Sequence, residues 1–373
     1  MSQNNKTYCN IIEKGMFVSH QGISLCCVNS DKHKNIKPSE FWYGQTRKNA
    51  QKNMADNTNV KGCDLCYHNE KNKIASSRTF YNSYKDVPAK KLPTMLDLDF
   101  SNFCNLKCIM CNPYRSSEWA KDRGLDVSKI HMDLIDDLAS ISDNVTKITI
   151  QGGEPTIMKE YEYYFDLLHN KNLAKNIDIQ IITNITNLNH KFYRLLQKFK
   201  SVRLSVSIDA YDLANNYIRW PSKFEQIEKN LIKVSDLKSL VKVEILNTLN
   251  ILSMFNYYDF LLWCKKIETI FMKKNRYFGV VPMKVIEPPH FSPFIAPNNL
   301  KEKFIDDVKT FFADYNLNGN SKFKTEIMLL IARLKRSTPN DAALNKLKNT
   351  VMKTDSQRQS KIENFIPNFY NFV

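Results

Sequence analysis

Residues 95–111 read MLDLDFSNFCNLKCIMC, and this stretch decides the fold. Leu96, Leu98 and Phe100 alternate with Asp97 and Asp99, which is the period of a β-strand. The strand runs straight into Cys104, Cys108 and Cys111, a C-x-x-x-C-x-x-C spacing. Three thiolates on one loop can converge on three corners of an iron–sulfur cubane, and thiolates are the usual ligands of such clusters. The fourth iron would lack a protein ligand, leaving it open to the amino and carboxylate groups of a small molecule. Zinc is the competing reading, since C-x-x-C pairs also bind it.

Further along, Thr149–Ile150–Gln151–Gly152–Gly153–Glu154–Pro155 ends a second apolar run. The paired glycines permit close backbone approach to a ligand. Glu154 places a carboxylate at the carboxyl end of a strand, where ligands bind in parallel sheets. Strand patterns recur at Met95–Phe100, Val145–Gln151, Ile177–Thr183, Val202–Ile208, Val241–Leu246 and Tyr277–Pro282. Helix patterns fall between them at Asp133–Ser140, Tyr161–His169, His190–Phe199, Lys223–Lys233 and Tyr257–Ile267. This alternation predicts an α/β fold of right-handed βα units, as a parallel sheet or partial barrel. Pro88, Lys90, Lys91 and Pro93 mark a break before the first strand. The expected division is 1–92, 93–297 and a helical extension 298–373. That extension carries helix patterns at Leu300–Tyr315 and Lys324–Lys335 with Arg333, Lys335 and Arg336, and reads as a packing cap.

The strand, the cysteine spacing and the GGEP turn, in this order, resemble the radical SAM enzymes. The resemblance implies a partial (β/α)6 TIM-like barrel. It implies a [4Fe–4S] cluster on Cys104, Cys108 and Cys111 that binds S-adenosyl-L-methionine and cleaves it reductively. The resulting 5′-deoxyadenosyl radical would abstract hydrogen from a substrate, with flavodoxin or ferredoxin as reductant. By the same resemblance, the Met110 backbone faces the adenine, and Gly152, Gly153, Glu154 and Pro155 meet the methionine amino group. Asn184 ends the third strand, Ser207 lies near the polar edge of the cofactor, and Asn247 follows the fifth strand as a further contact. Arg219, in Tyr217–Ile218–Arg219–Trp220–Pro221, would pair with the cofactor carboxylate, a bidentate match for guanidinium. Taken as residues alone, Ser207 could equally cap a helix and Arg219 could sit in an ion pair.

Eight of the nine cysteines precede residue 112, and five of them form a second constellation: Cys9, Cys26, Cys27, Cys63 and Cys66. Phe17–Leu25 reads as a hairpin turning near Gly22, which would return Cys26 and Cys27 towards Cys9. A helix pattern over Phe41–Ala55 then leads to Cys63 and Cys66. This set resembles the auxiliary-cluster (twitch or SPASM) module of many radical SAM enzymes, and Glu70, Ser77, Arg78 and Asn82 fit that pattern. The resemblance implies an auxiliary [4Fe–4S] cluster. Here the module precedes the core, whereas in better-studied enzymes it comes after. Cys₄ zinc is the alternative. Spacing from the turn glycine favours Cys27 as ligand; the Leu–Cys–Cys pattern favours Cys26. Cys264, inside a helix pattern, reads as a buried small hydrophobe.

Composition sets the outer limits. With 43% hydrophobic and 12% aromatic residues over 373 positions, the chain can bury a large core and is not disordered. The N-terminus lacks the apolar core of a signal peptide, and Ile251–Cys264 is interrupted by Ser253, Asn256 and Asp259. A cytoplasmic protein with no membrane partner is expected, and in that setting cysteines serve metal or redox chemistry. The net charge of +16 favours anionic partners, although lysine and asparagine richness with only 9 glycines also suits a chain encoded by AT-rich DNA. Two substrate classes stand open: a peptide or protein side chain, and a nucleotide, nucleic-acid base (as in modified viral DNA) or other anionic metabolite. A non-catalytic electron carrier or a zinc-stabilised binding protein is a third.

Overall fold

The computed structural model describes residues 7–84, 89–285, 287–317 and 321–373; Pro88 of the sequence-predicted break lies outside them. Its strands are β1 (Gly15–Ser19), β2 (Gly22–Ser24), β3 (Met95–Asp99), β4 (Lys147–Gln151), β5 (Asp178–Thr183), β6 (Ser201–Ser207), β7 (Leu240–Leu249) and β8 (Tyr277–Lys284). They form one sheet in the order β2-β1-β3-β4-β5-β6-β7-β8. The pairs β1–β3, β3–β4, β4–β5 and β7–β8 are parallel, and β2 is antiparallel to β1. All six strands expected from the sequence are present. The other two come from the Phe17–Leu25 hairpin, whose first strand joins the sheet in register, Gly15 opposite Met95 and Ser19 opposite Asp99.

Contacts divide the chain into two compact units. The first takes the chain up to Phe103, Asp126–Ile181 and His190–Val202; the second takes Cys104–Leu125, Ile182–Asn189 and Arg203–Val373. In the first unit β3 is buried along its whole length, and its period of two puts Asp97 and Asp99 on one face. The helix Lys159–Asn170 buries Tyr161, Tyr164, Phe165 and Leu168, a stripe at i, i+3, i+4 and i+7. The Tyr161 ring stacks on Phe100 with centroids 4.6 Å apart. Its hydroxyl accepts from the Phe100 N–H and lies 2.9 Å from Leu98 O and 2.6 Å from Gln151 O. One phenol thus ties together the carboxyl ends of β3 and β4. The single helix pattern read over Phe41–Ala55 is two helices, Pro38–Tyr43 and Gln45–Ala55, parted at Gly44.

In the second unit the helix Tyr257–Lys273 packs on β8 and on the helix Asn298–Asp314. It fully buries Cys264 among Phe260, Leu261, Ile267 and Phe271, the packing role expected of that cysteine. The two tail helices read from sequence appear at Asn298–Asp314 and Ser321–Leu334. A third, Asp341–Arg358, comes after them. Asn340 caps it by accepting from the Ala343 N–H at 3.0 Å. Among the described residues, no helix is long and apolar enough to cross a membrane.

After β4 the chain turns through Gly152, at φ +132°, and Gly153. A Cβ on Gly153 would lie 2.1 Å from Phe103 O, and one on Gly152 would lie 2.8 Å from Ser101 O. Backbone bonds fasten the approach: Gly153 N–H donates to Ser101 O at 2.9 Å and Glu154 N–H to Phe103 O at 2.8 Å. The glycines thus serve the packing of two chain segments. Gly153→Ala should therefore destabilise the iron-free protein by about 2 kcal/mol or more, as overpacking of a closed contact does. A lowered midpoint in urea unfolding checks this; an unchanged midpoint would show that the segment yields freely.

Candidate active site

Immediately after Phe103 the chain enters the second unit, and there its cysteine loop is held at nearly every step. Cys104 is buried; its N–H donates to Ser117 Oγ at 3.0 Å, and Ser117 Oγ donates back to Cys104 O at 3.1 Å. Ser116 Oγ donates to Leu106 O at 2.7 Å. The Lys107 and Ile109 N–H groups donate to Trp220 O at 2.6 Å and Ile218 O at 2.8 Å. Trp119 Nε1 donates to Cys108 O at 2.8 Å. The side chain of Asn105 joins the loop after β5, donating to Thr186 Oγ1 at 2.8 Å and accepting from Asn184 Nδ2 at 3.1 Å. A loop that carries three thiols and is fixed by such bonds is pre-organised.

One clamp comes from a part of the chain that sequence reasoning missed. Arg358, the last residue of the third tail helix, donates from Nη1 to Tyr217 O at 2.6 Å and from Nη2 to Lys107 O at 3.1 Å. Its guanidinium carbon stands 5.1 Å from the Tyr217 ring centroid and 5.2 Å from that of Trp220. Tyr217 OH in turn donates to Asp355 Oδ1 at 2.8 Å. Burial lowers the Arg358 guanidinium to about 10, which still leaves it charged at neutral pH. The tail therefore reaches the cysteine loop instead of only covering the core.

Burial pushes the Cys108 thiol up to about 12, against the opposing pull of Arg219, and raises the Cys111 thiol as well. Thiols so placed ionise only beside a cation, which is what iron in a cluster would provide. Arg219 lies in a buried ion pair, Nε to Asp209 Oδ2 at 2.8 Å, with Nη2 also donating to Asp209 Oδ1 at 3.2 Å. Asn247 is fully buried and spends its amide donors on Ile208 O and Asp209 O, at 3.2 and 2.9 Å, while accepting from Tyr257 OH. Asn184 accepts from the Thr186 N–H and hydroxyl at 2.9 and 2.7 Å. Ser207 is half-buried at the end of β6, and Met110 is half-buried in the cysteine loop. In the first unit Glu154 is fully buried, accepting from the Thr156 N–H at 3.1 Å and hydroxyl at 2.7 Å, with Pro155 opening the short 3-10 turn.

The second cysteine set gathers within the first unit. Cys9 precedes a short helix Asn10–Lys14, Cys26 comes just after β2, and Cys63 and Cys66 bracket the first turn of the helix Asp64–Lys71. Cys9, Cys26, Cys63 and Cys66 line one cavity with Tyr67, Arg78 and Tyr81. Cys27 is not among its lining residues; its Sγ meets Tyr81 OH at 3.7 Å, and that hydroxyl donates to Asp97 Oδ2. Burial pushes the Cys9 thiol up to about 12 and raises Cys26 and Cys63, while Arg78 opposes the rise at Cys9 and Cys63. Arg78 pairs with Glu70 and donates from Nη1 to Tyr8 O at 3.1 Å; Asn82 Nδ2 donates to the same carbonyl at 3.0 Å. Asn82 Oδ1 also accepts from the Asn10 N–H at 2.8 Å, so these side chains hold the backbone on both sides of Cys9. Ser77 opens the short helix that carries Arg78 and Asn82. Four thiols around one cavity fit thiolate-bound iron in their donor chemistry. Among the described residues, no three His, Cys, Asp or Glu side chains converge on a single-ion site.

Residues 98–254 match the family model of the radical SAM superfamily. Over 140 residues the chain is 26% identical to a GTP 3′,8-cyclase of Campylobacter lari, covering 37% of this chain and 39% of that protein. Streptococcus suis SuiB bound to the precursor peptide SuiA is 18% identical, with TM-score 0.38 over 72% of this chain and 48% of SuiB. The radical S-adenosylmethionine methyltransferase TsrM of Kitasatospora setae is 12% identical, with TM-score 0.37 over 57% of this chain and 39% of TsrM. The chain thus spans less than half the length of each of these three proteins. Over residues 98–254, then, the chain is similar to the radical SAM superfamily.

Proposed function

We propose that this chain is a radical SAM enzyme with two iron–sulfur centres. Cys104, Cys108 and Cys111 would hold the [4Fe–4S] cluster that binds S-adenosylmethionine. Cys9, Cys26, Cys63 and Cys66 would hold an auxiliary [4Fe–4S] cluster, serving electron transfer or substrate binding. When bound, these groups supply an electron, drawn from a flavodoxin or ferredoxin, and the 5′-deoxyadenosyl radical that takes hydrogen from the substrate.

The observation that carries this reading is the fixing of the cysteine loop within its own unit: Cys104 is tied to Ser117, Lys107 and Ile109 to Trp220 and Ile218, and Cys108 to Trp119. Gly152, Gly153, Glu154 and Pro155 would shape the methionine end, and the Met110 backbone the adenine end. Asn184 and Ser207, at the ends of β5 and β6, would face the cofactor. Asn247 acts as a positioning residue, since its amide is spent on the backbone that carries Asp209. Asp209 in turn orients Arg219, whose charge lies close enough to Cys108 and Cys111 to favour their thiolates. At the auxiliary site Cys26 is the ligand chosen, because it lines the cavity and Cys27 does not.

The substrate reading divides between a peptide or protein side chain and a phosphorylated or otherwise anionic molecule. The net charge of +16 favours the second.

Anaerobic reconstitution, iron and sulfide counting, and an assay for 5′-deoxyadenosine test the proposal. The intact chain should take up about eight iron atoms, and Cys108→Ala should abolish 5′-deoxyadenosine formation. Cys63→Ala and Cys26→Ser should each remove about four iron atoms while sparing cofactor cleavage, whereas Cys27→Ser should keep the full complement. Zinc without iron in every preparation would sink the scheme. Arg358→Ala, which leaves every cysteine in place, should make the first cluster lose iron to a chelator roughly tenfold faster, as loss of supporting contacts does at metal sites. Equal rates for the variant and the parent would deny the tail its clamping role.

A further inference from the structure

We infer that a cavity at the carboxyl end of β1, separate from both cysteine sets, binds the phosphate groups of a small phosphorylated ligand of about nucleotide size. The cavity lies wholly in the first unit and measures about 500 Å³, within the usual range for small-molecule sites. His20 forms part of its wall with a side chain only 3% exposed. The ring is fixed there by Ser128 Oγ, 2.7 Å from Nδ1, and by Asp99 Oδ1, 3.8 Å from Nε2.

The charges around the cavity carry the chemistry. Lys34, Lys37 and Lys129 all line it, and none of the three joins an ion pair among the described residues. The lining also holds two carboxylates: Glu40 accepts from the Lys37 N–H at 3.3 Å, and Asp133 stands in the first turn of the helix Met132–Ser140. Three ammonium groups against two carboxylates leave the rim net positive, which favours a polyanion over a neutral ligand. Several phosphate oxygens could meet several lysines at once, which a single carboxylate could not.

Ser128, just before the Lys129 wall of the cavity, accepts at its carbonyl from Ser101 Oγ and the Asn102 N–H, at 2.9 and 3.1 Å. Its own N–H donates to Asn102 Oδ1 at 2.9 Å. The wall is therefore braced on the segment that follows β3, and a ligand held there would lie at the carboxyl ends of the parallel strands β1 and β3. The ligand's role as substrate rests on the radical SAM reading; its binding does not.

Calorimetry on the iron-free chain separates the two. Inorganic triphosphate and GTP should both bind, and guanosine should not. The Lys34→Ala/Lys37→Ala/Lys129→Ala variant should bind at least roughly tenfold more weakly, while the corresponding triple arginine variant keeps the affinity. Raising salt from roughly 50 to roughly 200 mM should weaken binding several-fold. Both variants should melt at the parent temperature and take up the parent amount of iron, since all three lysines are exposed. The inference is overturned by guanosine binding as tightly as GTP, by unchanged affinity in the alanine variant, or by no binding of triphosphate and GTP. A single-stranded oligonucleotide displacing GTP at lower concentration would also overturn it, by making the ligand a polymer. Failure of iron reconstitution would leave these results standing and would strike only the proposed enzyme.

Discussion

The close passage of Gly152 and Gly153 against Ser101–Phe103 is the constraint on which the rest of this structure depends. No side chain fits at Gly153, where a Cβ would stand 2.1 Å from a carbonyl oxygen. Two strands thereby end in a shared, hydrogen-bonded corner, and Tyr161 seals it from behind with contacts to both. The corner is thus set by a packing contact within the first unit, before any ligand is considered.

A second theme is how buried polar groups are spent. Asp97 and Asp99 share the face of β3, and each meets a side chain from the N-terminal region, Tyr81 and His20 respectively. A buried carboxylate without a partner costs several kcal/mol, so these pairings lock the N-terminal region to the sheet. The same economy shapes the second unit, where Asp209 gathers Arg219 and the Thr248 N–H. Removing one member of such a buried pair commonly costs about 3–5 kcal/mol, because the other charge is left stranded.

Much of the fold is legible in the sequence because its signals are local. The alternation in Met95–Phe100 and the apolar runs Val145–Gln151 and Ile177–Thr183 become β3, β4 and β5 within two residues at each end. The cysteine spacing is equally local, and residues 98–254, which hold Cys104, Cys108 and Cys111, match the radical SAM family model. The glycines are harder: in one dimension they suggest room for a ligand, yet the nearest atoms belong to the chain itself. The place of Cys26 on the cavity wall is beyond one-dimensional reasoning, because two adjacent cysteines give the same spacing signal. The helix Asp341–Arg358 carries little signal, because its buried residues, Leu344, Leu347, Val351 and Thr354, form a thin stripe in a polar run. The partners of Arg358 lie more than a hundred positions upstream, where no local pattern could announce them.

That last separation bears on how the protein matures. Lys107 and Arg358 are 251 positions apart, so on the ribosome the loop between the first two cysteines is made long before its clamp exists. Until Arg358 is made, the thiols of this loop would remain loosely held and open to oxidation or to the wrong metal. Any centre assembled on the loop before then would lack its clamp, so the order of synthesis favours late metal delivery.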